Sequence, residues 1–144
     1  MNAAVRGAAR DERGQSLVEF ALMVPILLLL LVGLIDFARG LQSYQALGNA
    51  VREAAREASV HGSGSSSQWG PAADDANVTA AVRTRAVGLV ASDVAATSTW
   101  PTGNNARGSE VVVGATYRFR PVATTLVAGV TLTFSTQTRA RIQR

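Results

Sequence analysis

The sequence predicts an α+β protein: a long N-terminal helix, transmembrane at first and amphipathic beyond, then a short helix and a small antiparallel sheet. Three observations predict it. An uncharged apolar run fills Phe20–Ile35. Apolar residues then recur with a helical period as far as Ala58, and past residue 110 the period changes to two. The 144 residues suffice for one small domain beside the apolar run.

The N-terminal helix comes first. From Leu17 to Ile35, nineteen residues interrupted only by Glu19 span roughly 28 Å at the α-helical rise, close to the hydrocarbon thickness of about 30 Å. Pro25 lies inside this run. Its missing N–H leaves the Ala21 carbonyl without its helical partner and predicts a kink. A secretory signal peptide fits less well. Where a small residue would be needed for cleavage, the run ends in Asp36-Phe37-Ala38-Arg39. Arg6, Arg10 and Arg13 precede the run in a short segment, which puts the N-terminus in the cytoplasm and the residues beyond about 36 outside.

The helical pattern continues past Asp36. Phe37, Leu41, Tyr44, Leu47, Val51, Ala54, Ala55 and Ala58 fall in one arc; Gln42, Gln45, Asn49, Arg52, Glu53, Arg56 and Glu57 fall in the opposite one. The apolar arc is aimed at a partner surface, with its distal half expected to pack on the chain's own domain. Ala46, Ala50, Ala54 and Ala58 recur every four residues and permit close approach. Glu53 and Arg56 are spaced for a solvated ion pair of small value.

The Gly/Ser-rich segment His61–Pro71 breaks the helix and reads as flexible. Asp74-Asp75 look like a helix N-cap, and Val78, Val82, Ala86 and Leu89 predict a short amphipathic helix over roughly 75–91. Val111, Val113, Ala115, Tyr117 and Phe119 alternate with more polar residues and predict a strand that Pro121 closes. Val130, Leu132 and Phe134, continued in phase by Ala140 and Ile142, predict a second, joined to the first through Ala123–Gly129. A shorter strand near 94–100 completes the sheet, with Trp100 extended before Pro101. Arg118, Arg120, Arg139 and Arg141 belong to the polar strand face, solvated by default and open to an acidic partner.

Composition excludes several chemistries. There is no cysteine, so no disulfide, thiol nucleophile or zinc–thiolate site. The net charge of +4 comes from scattered arginines without a basic block, which argues against nucleic acid. His61 is the only histidine and has no matching acid cluster, and Ser63, Ser65, Ser66 and Ser67 form no nucleophile motif. No catalytic, cofactor-binding or metal-ligating set is expected, and the chain reads as a non-enzyme.

Glu19 asks for an explanation. A charged residue at the centre of a membrane helix costs about 2.5–3.5 kcal/mol, and less near an end, where the side chain can snorkel. Snorkelling accounts for tolerance but not for the spacing around it. Gly14, four residues and then Glu19-Phe20 resembles the processing signature of type IV prepilins. The longer string Arg13–Arg39 resembles the TadE-like family of tight-adherence (Flp-type) pilus systems. The match runs through Arg13-Gly14, Val18–Leu22, Pro25, Leu27–Leu31, Gly33, Asp36 and Ala38-Arg39, and the Ala- and Arg-rich Asn49–Ser59 is similar to the family's following helix.

That resemblance implies a leader of residues 1–14, a mature helix over 15–60, a linker over 61–73 and an extracytoplasmic domain over 74–144. It implies cleavage between Gly14 and Gln15 by a prepilin peptidase, with Glu19 and Phe20 the fifth and sixth residues of the mature chain. In assembly the Glu19 carboxylate would meet the new amine of a neighbouring subunit, a partner that offsets the cost of a buried charge. The implied role is a minor pilin or pilus-assembly subunit in the cytoplasmic membrane, or at the cell surface in a pilus. Its partners would be other pilin and assembly subunits, the peptidase and membrane lipid. The competing reading is an uncleaved single-pass binding or sensor module.

Overall fold

The computed structural model describes residues 3–123 and 129–143, with side chains from Gly14 onward. Helix α1 runs unbroken from Ala3 to Val60, through Pro25, and so joins the apolar run and the amphipathic segment in one rod. Helix α2 covers Ala76–Arg85. A 3-10 turn at Ala91–Asp93 leads into strands β1 (Val94–Thr99), β2 (Glu110–Phe119) and β3 (Leu132–Arg141). The sheet is antiparallel in the order β1-β2-β3. Val94 pairs with Tyr117 on one side of β2, and Phe119 pairs with Leu132 on the other.

The period-two pattern has the consequence expected of a half-buried strand. Val111, Val113, Ala115, Tyr117 and Phe119 are all buried, and the residues between them face outward. Both helices cover this inner face, α1 along β2 and β3, α2 along β1. The core joins Leu47, Ala50, Val51, Ala54, Ala55 and Ala58 of α1, Val78, Ala81 and Val82 of α2, and the inner residues of the sheet. The small residues of α1 let it lie close to the strands. Ala50, Ala54 and Ala58 are all buried, and Ala46 is half-buried.

The apolar arc of α1 divides as expected. Leu47, Val51, Ala54, Ala55 and Ala58 are at most 2 % exposed, whereas Phe37 is 71 % exposed, Leu41 50 % and Tyr44 49 %. Strand β3 runs alongside α1 in the same direction. Phe134 meets Tyr44 edge-on with ring centroids 6.0 Å apart, and the Gln143 N–H donates to the Ser59 carbonyl at 2.7 Å.

Three expectations need correction. Helix α2 stops at Arg85 rather than near 91, because the chain turns there and Gly88 takes φ +82°. That left-handed conformation suits glycine and ends a helix. Of the two expected caps only Asp75 caps: its Oδ1 accepts the N–H groups of Asn77 and Val78. Asp74, at φ +54°, instead hooks β1, exchanging hydrogen bonds with the Ser98 backbone. The segment read as flexible is folded onto the domain. His61 and Trp69 stack at 4.5 Å, the Trp69 N–H donates to the His61 carbonyl, and Asn105 Nδ2 donates to the Trp69 carbonyl. Of the expected β2–β3 connection, residues 124–128 lie outside the described residues.

Candidate functional site

Of the site residues singled out by the sequence, Pro25 lies within the apolar part of α1 and the others at its start. At its start are Gly14, Gln15, Glu19 and Phe20. All four are in helical backbone and exposed, and Gln15 and Glu19 are one turn apart on the same side of the helix. Among the described residues Glu19 has no ion-pair partner. From Leu17 to Ile35 every Leu, Ile, Phe and Met side chain is at least 45 % exposed. The most apolar window of this helix has a mean hydropathy of 2.7 and none of it is buried. By length and composition the helix can cross a membrane.

At the other end of the apolar run stands Asp36, which the sequence offered only as the acid of a motif. It is 6 % exposed. One carboxylate oxygen accepts the backbone N–H of Ala123 at 2.6 Å, and the other accepts from Arg39 Nη1 at 3.2 Å. The carboxylate therefore ties the helix, at the point where the apolar run stops, to the chain just past β2. Phe119 and Phe134 stack at 5.6 Å beneath the next turn, where Gly40 presents no side chain, and the Arg39 guanidinium lies 5.8 Å from the Phe119 ring centroid. The signal for this clamp was present as a lone acid after sixteen uncharged residues; its partner, 87 residues away, left no trace in the sequence.

Among the described residues three ion pairs lie farther out, of which one joins the two helices. Arg85 of α2 reaches Glu57 of α1 at 2.5 Å, and Arg120 reaches Asp93 at 3.5 Å. The expected Glu53–Arg56 pair forms at 2.7 Å, and hydrogen bonding to Arg56 holds the Glu53 carboxyl below its usual range. Arg118, Arg120, Arg139 and Arg141 are exposed. His61 is engaged by Trp69 and by the Glu57 carbonyl, 2.8 Å from its Nδ1.

Among the described residues no three His, Cys, Asp or Glu side chains come together as metal ligands would. A groove of about 550 Å³ is open and runs between α1 at Arg39, Gln42 and Ser43, the Val87–Val90 turn and the end of β2. Its charged side chains are Arg39, Asp93, Arg118 and Arg120, without a nucleophile and base in hydrogen-bond reach.

No curated protein and no solved structure matches the chain. A family model does match, over the stretch that takes in the exposed apolar run, Asp36 and nearly all of the amphipathic helix: residues 14–56 are similar to the TadE-like protein family.

Proposed function

We propose that this chain is a minor pilin or pilus-assembly subunit of a tight-adherence pilus, made with a leader of residues 1–14 that a prepilin peptidase removes between Gly14 and Gln15. The observation that carries the reading is the coincidence of the family match with one continuous helix, bare and apolar over residues 17–35 and embedded in a sheet domain at its end. That is the layout needed by a subunit held in the membrane by one end and presenting the other outside. The role is non-catalytic: the chain anchors, orients and packs.

Residues 17–35 cross the cytoplasmic membrane with the N-terminus inside. Gly14 lowers helix stability by roughly 0.5–1 kcal/mol relative to alanine, so the bond after it opens for a peptidase at modest cost. Once Gln15 carries a free amine, Glu19 of a neighbouring subunit is its counter-charge, and each subunit is registered on the next. Pro25 supplies no N–H to the Ala21 carbonyl, which is left for a neighbouring helix to satisfy.

The intact mass of the protein from native membranes tests the reading. Loss of residues 1–14 is the expected result. Full-length chain alone, in cells with an active prepilin peptidase, would leave an uncleaved anchored module as the better account.

A further inference from the structure

The apolar surface of this protein does not end with the apolar run of α1. Val122 is 48 % exposed, Val130 47 % and Leu132 46 %, and all three belong to the connection between β2 and β3 or its margin. Two independent contacts fix its level along α1. On one arm, the Ala123 N–H is bonded to Asp36. On the other, Phe134 lies against Gly40 and Tyr44. Leu132 is two residues earlier, about 7 Å nearer the start of α1 at the strand rise. That distance is between four and five residues of helix, which sets Leu132 level with the turn holding Asp36. Both arms therefore bring half-exposed aliphatic side chains to the end of the apolar run. Phe37 and Leu41 of α1, also exposed, share this level.

Charge follows the same order. Arg39 is one turn above Asp36 with its side chain 51 % exposed. Arg118 pairs across the sheet with Thr133, beside Leu132, and Arg120, 65 % exposed in its side chain, follows. Half-exposed aliphatic side chains flanked by long cationic ones are the arrangement of an interfacial segment: apolar atoms enter the acyl boundary while guanidinium groups reach headgroup phosphates.

We propose that the β2–β3 end of the sheet domain is seated in the outer surface of the bilayer, with Val122, Val130 and Leu132 in contact with lipid and the domain docked on the membrane rather than held clear of it. The proposal rests on the reading of residues 17–35 as membrane-spanning. The Asp36–Ala123 bond is the device that sets the depth.

The absence of cysteine allows a direct test. Leu28→Cys, Val122→Cys, Leu132→Cys and Thr99→Cys are made singly in the full chain and labelled with an environment-sensitive fluorophore. Each is reconstituted in phosphatidylcholine–phosphatidylglycerol vesicles with or without brominated acyl chains. Thr99, at the far end of β1, reports a position away from lipid. The expected result is loss of emission in brominated lipid at Leu28, Val122 and Leu132, and none at Thr99. Quenching at Leu28 with Val122 and Leu132 as insensitive as Thr99 overturns the seating and leaves the spanning helix in place. Blue-shifted but unquenched emission at Leu132 means that protein, a second copy of the chain, covers the tip, and also overturns it. An unquenched Leu28 overturns the spanning helix itself. Val122 and Leu132 lie on opposite arms of the connection, so a folding defect in one variant leaves the other to decide.

Discussion

Asp36 and Ala123 are joined by a 2.6 Å hydrogen bond across 87 residues of sequence, carboxylate to backbone N–H. The bond fastens the end of the apolar run to the end of the sheet's central strand. One partner lies within α1 and the other four residues past β2, so the bond ties the domain to its helix.

Replacing Asp36 tests this tie. Asp36→Ala removes the acceptor from a buried site and leaves the Ala123 N–H unpaired. Digestion of the domain by an added protease should become faster, and its thermal midpoint in micelles should fall. Asp36→Asn keeps one acceptor oxygen but loses the charge facing Arg39, and should fall between alanine and the unmodified chain. Equal protease resistance in all three would show that the bond does not hold the junction.

The apolar arc of α1 offers a paired test of where the core begins. Leu47 is fully buried, and Leu47→Ala should destabilise the domain by about 2–5 kcal/mol. Leu41, less than two turns earlier on the same arc and half exposed, should change it by less than about 0.5 kcal/mol. Guanidinium unfolding followed by Trp69 and Trp100 fluorescence measures both.

Gly70 supports Trp100 by absence. It adopts φ +75°, and a Cβ placed there would run into the Trp100 indole, itself 6 % exposed. Gly70→Ala combines an unfavourable backbone conformation with overpacking and should cost about 2–3 kcal/mol. Gly33, in helical backbone with open space around it, makes a control: Gly33→Ala should not destabilise the domain in the same denaturation.

Glu19→Gln separates assembly from insertion. If Glu19 meets the amine of Gln15 on a neighbour, the neutral side chain leaves that amine without a counter-ion in a low-dielectric layer. Membrane level and cleavage after Gly14 should stay near normal, because a neutral residue enters the bilayer more easily. Partner pilins should no longer co-purify from detergent extracts. Undiminished recovery of partners would leave snorkelling as the whole explanation of Glu19.

What the sequence made legible follows from the range of the forces involved. The helix faces and the two long strands are periodic, and periodicity is local. Leu47, Val51, Val111 and Val113 were assigned to buried faces correctly for that reason. The Asp75 cap is local too, reaching three residues ahead to Val78. The stop of α2 was missed because Val78, Val82, Ala86 and Leu89 all pack inward, so their spacing prolongs the pattern through a turn that is no longer helix. The fold of His61–Pro71 was missed because composition averages over what single residues do. Trp69 stacks on His61, and Asn105, 36 residues on, holds its carbonyl. At the site, Gly14, Gln15, Glu19 and Phe20 stood out by spacing, whereas Asp36 acquires its role from a distant peptide group.

The single rod of α1 also has a mechanical meaning. About 87 Å of helix at 1.5 Å per residue runs from Ala3 to Val60 and has no loop between the apolar run and the face that the sheet grips. Tension applied along the anchor therefore enters the domain in line with β3, which lies beside α1 and points the same way. The load is a shear shared at once by Leu47, Val51, Ala54 and Ala58 against the strands, rather than a peel that opens one contact after another. A subunit pulled from its membrane end should yield late and all together, as a lap joint does.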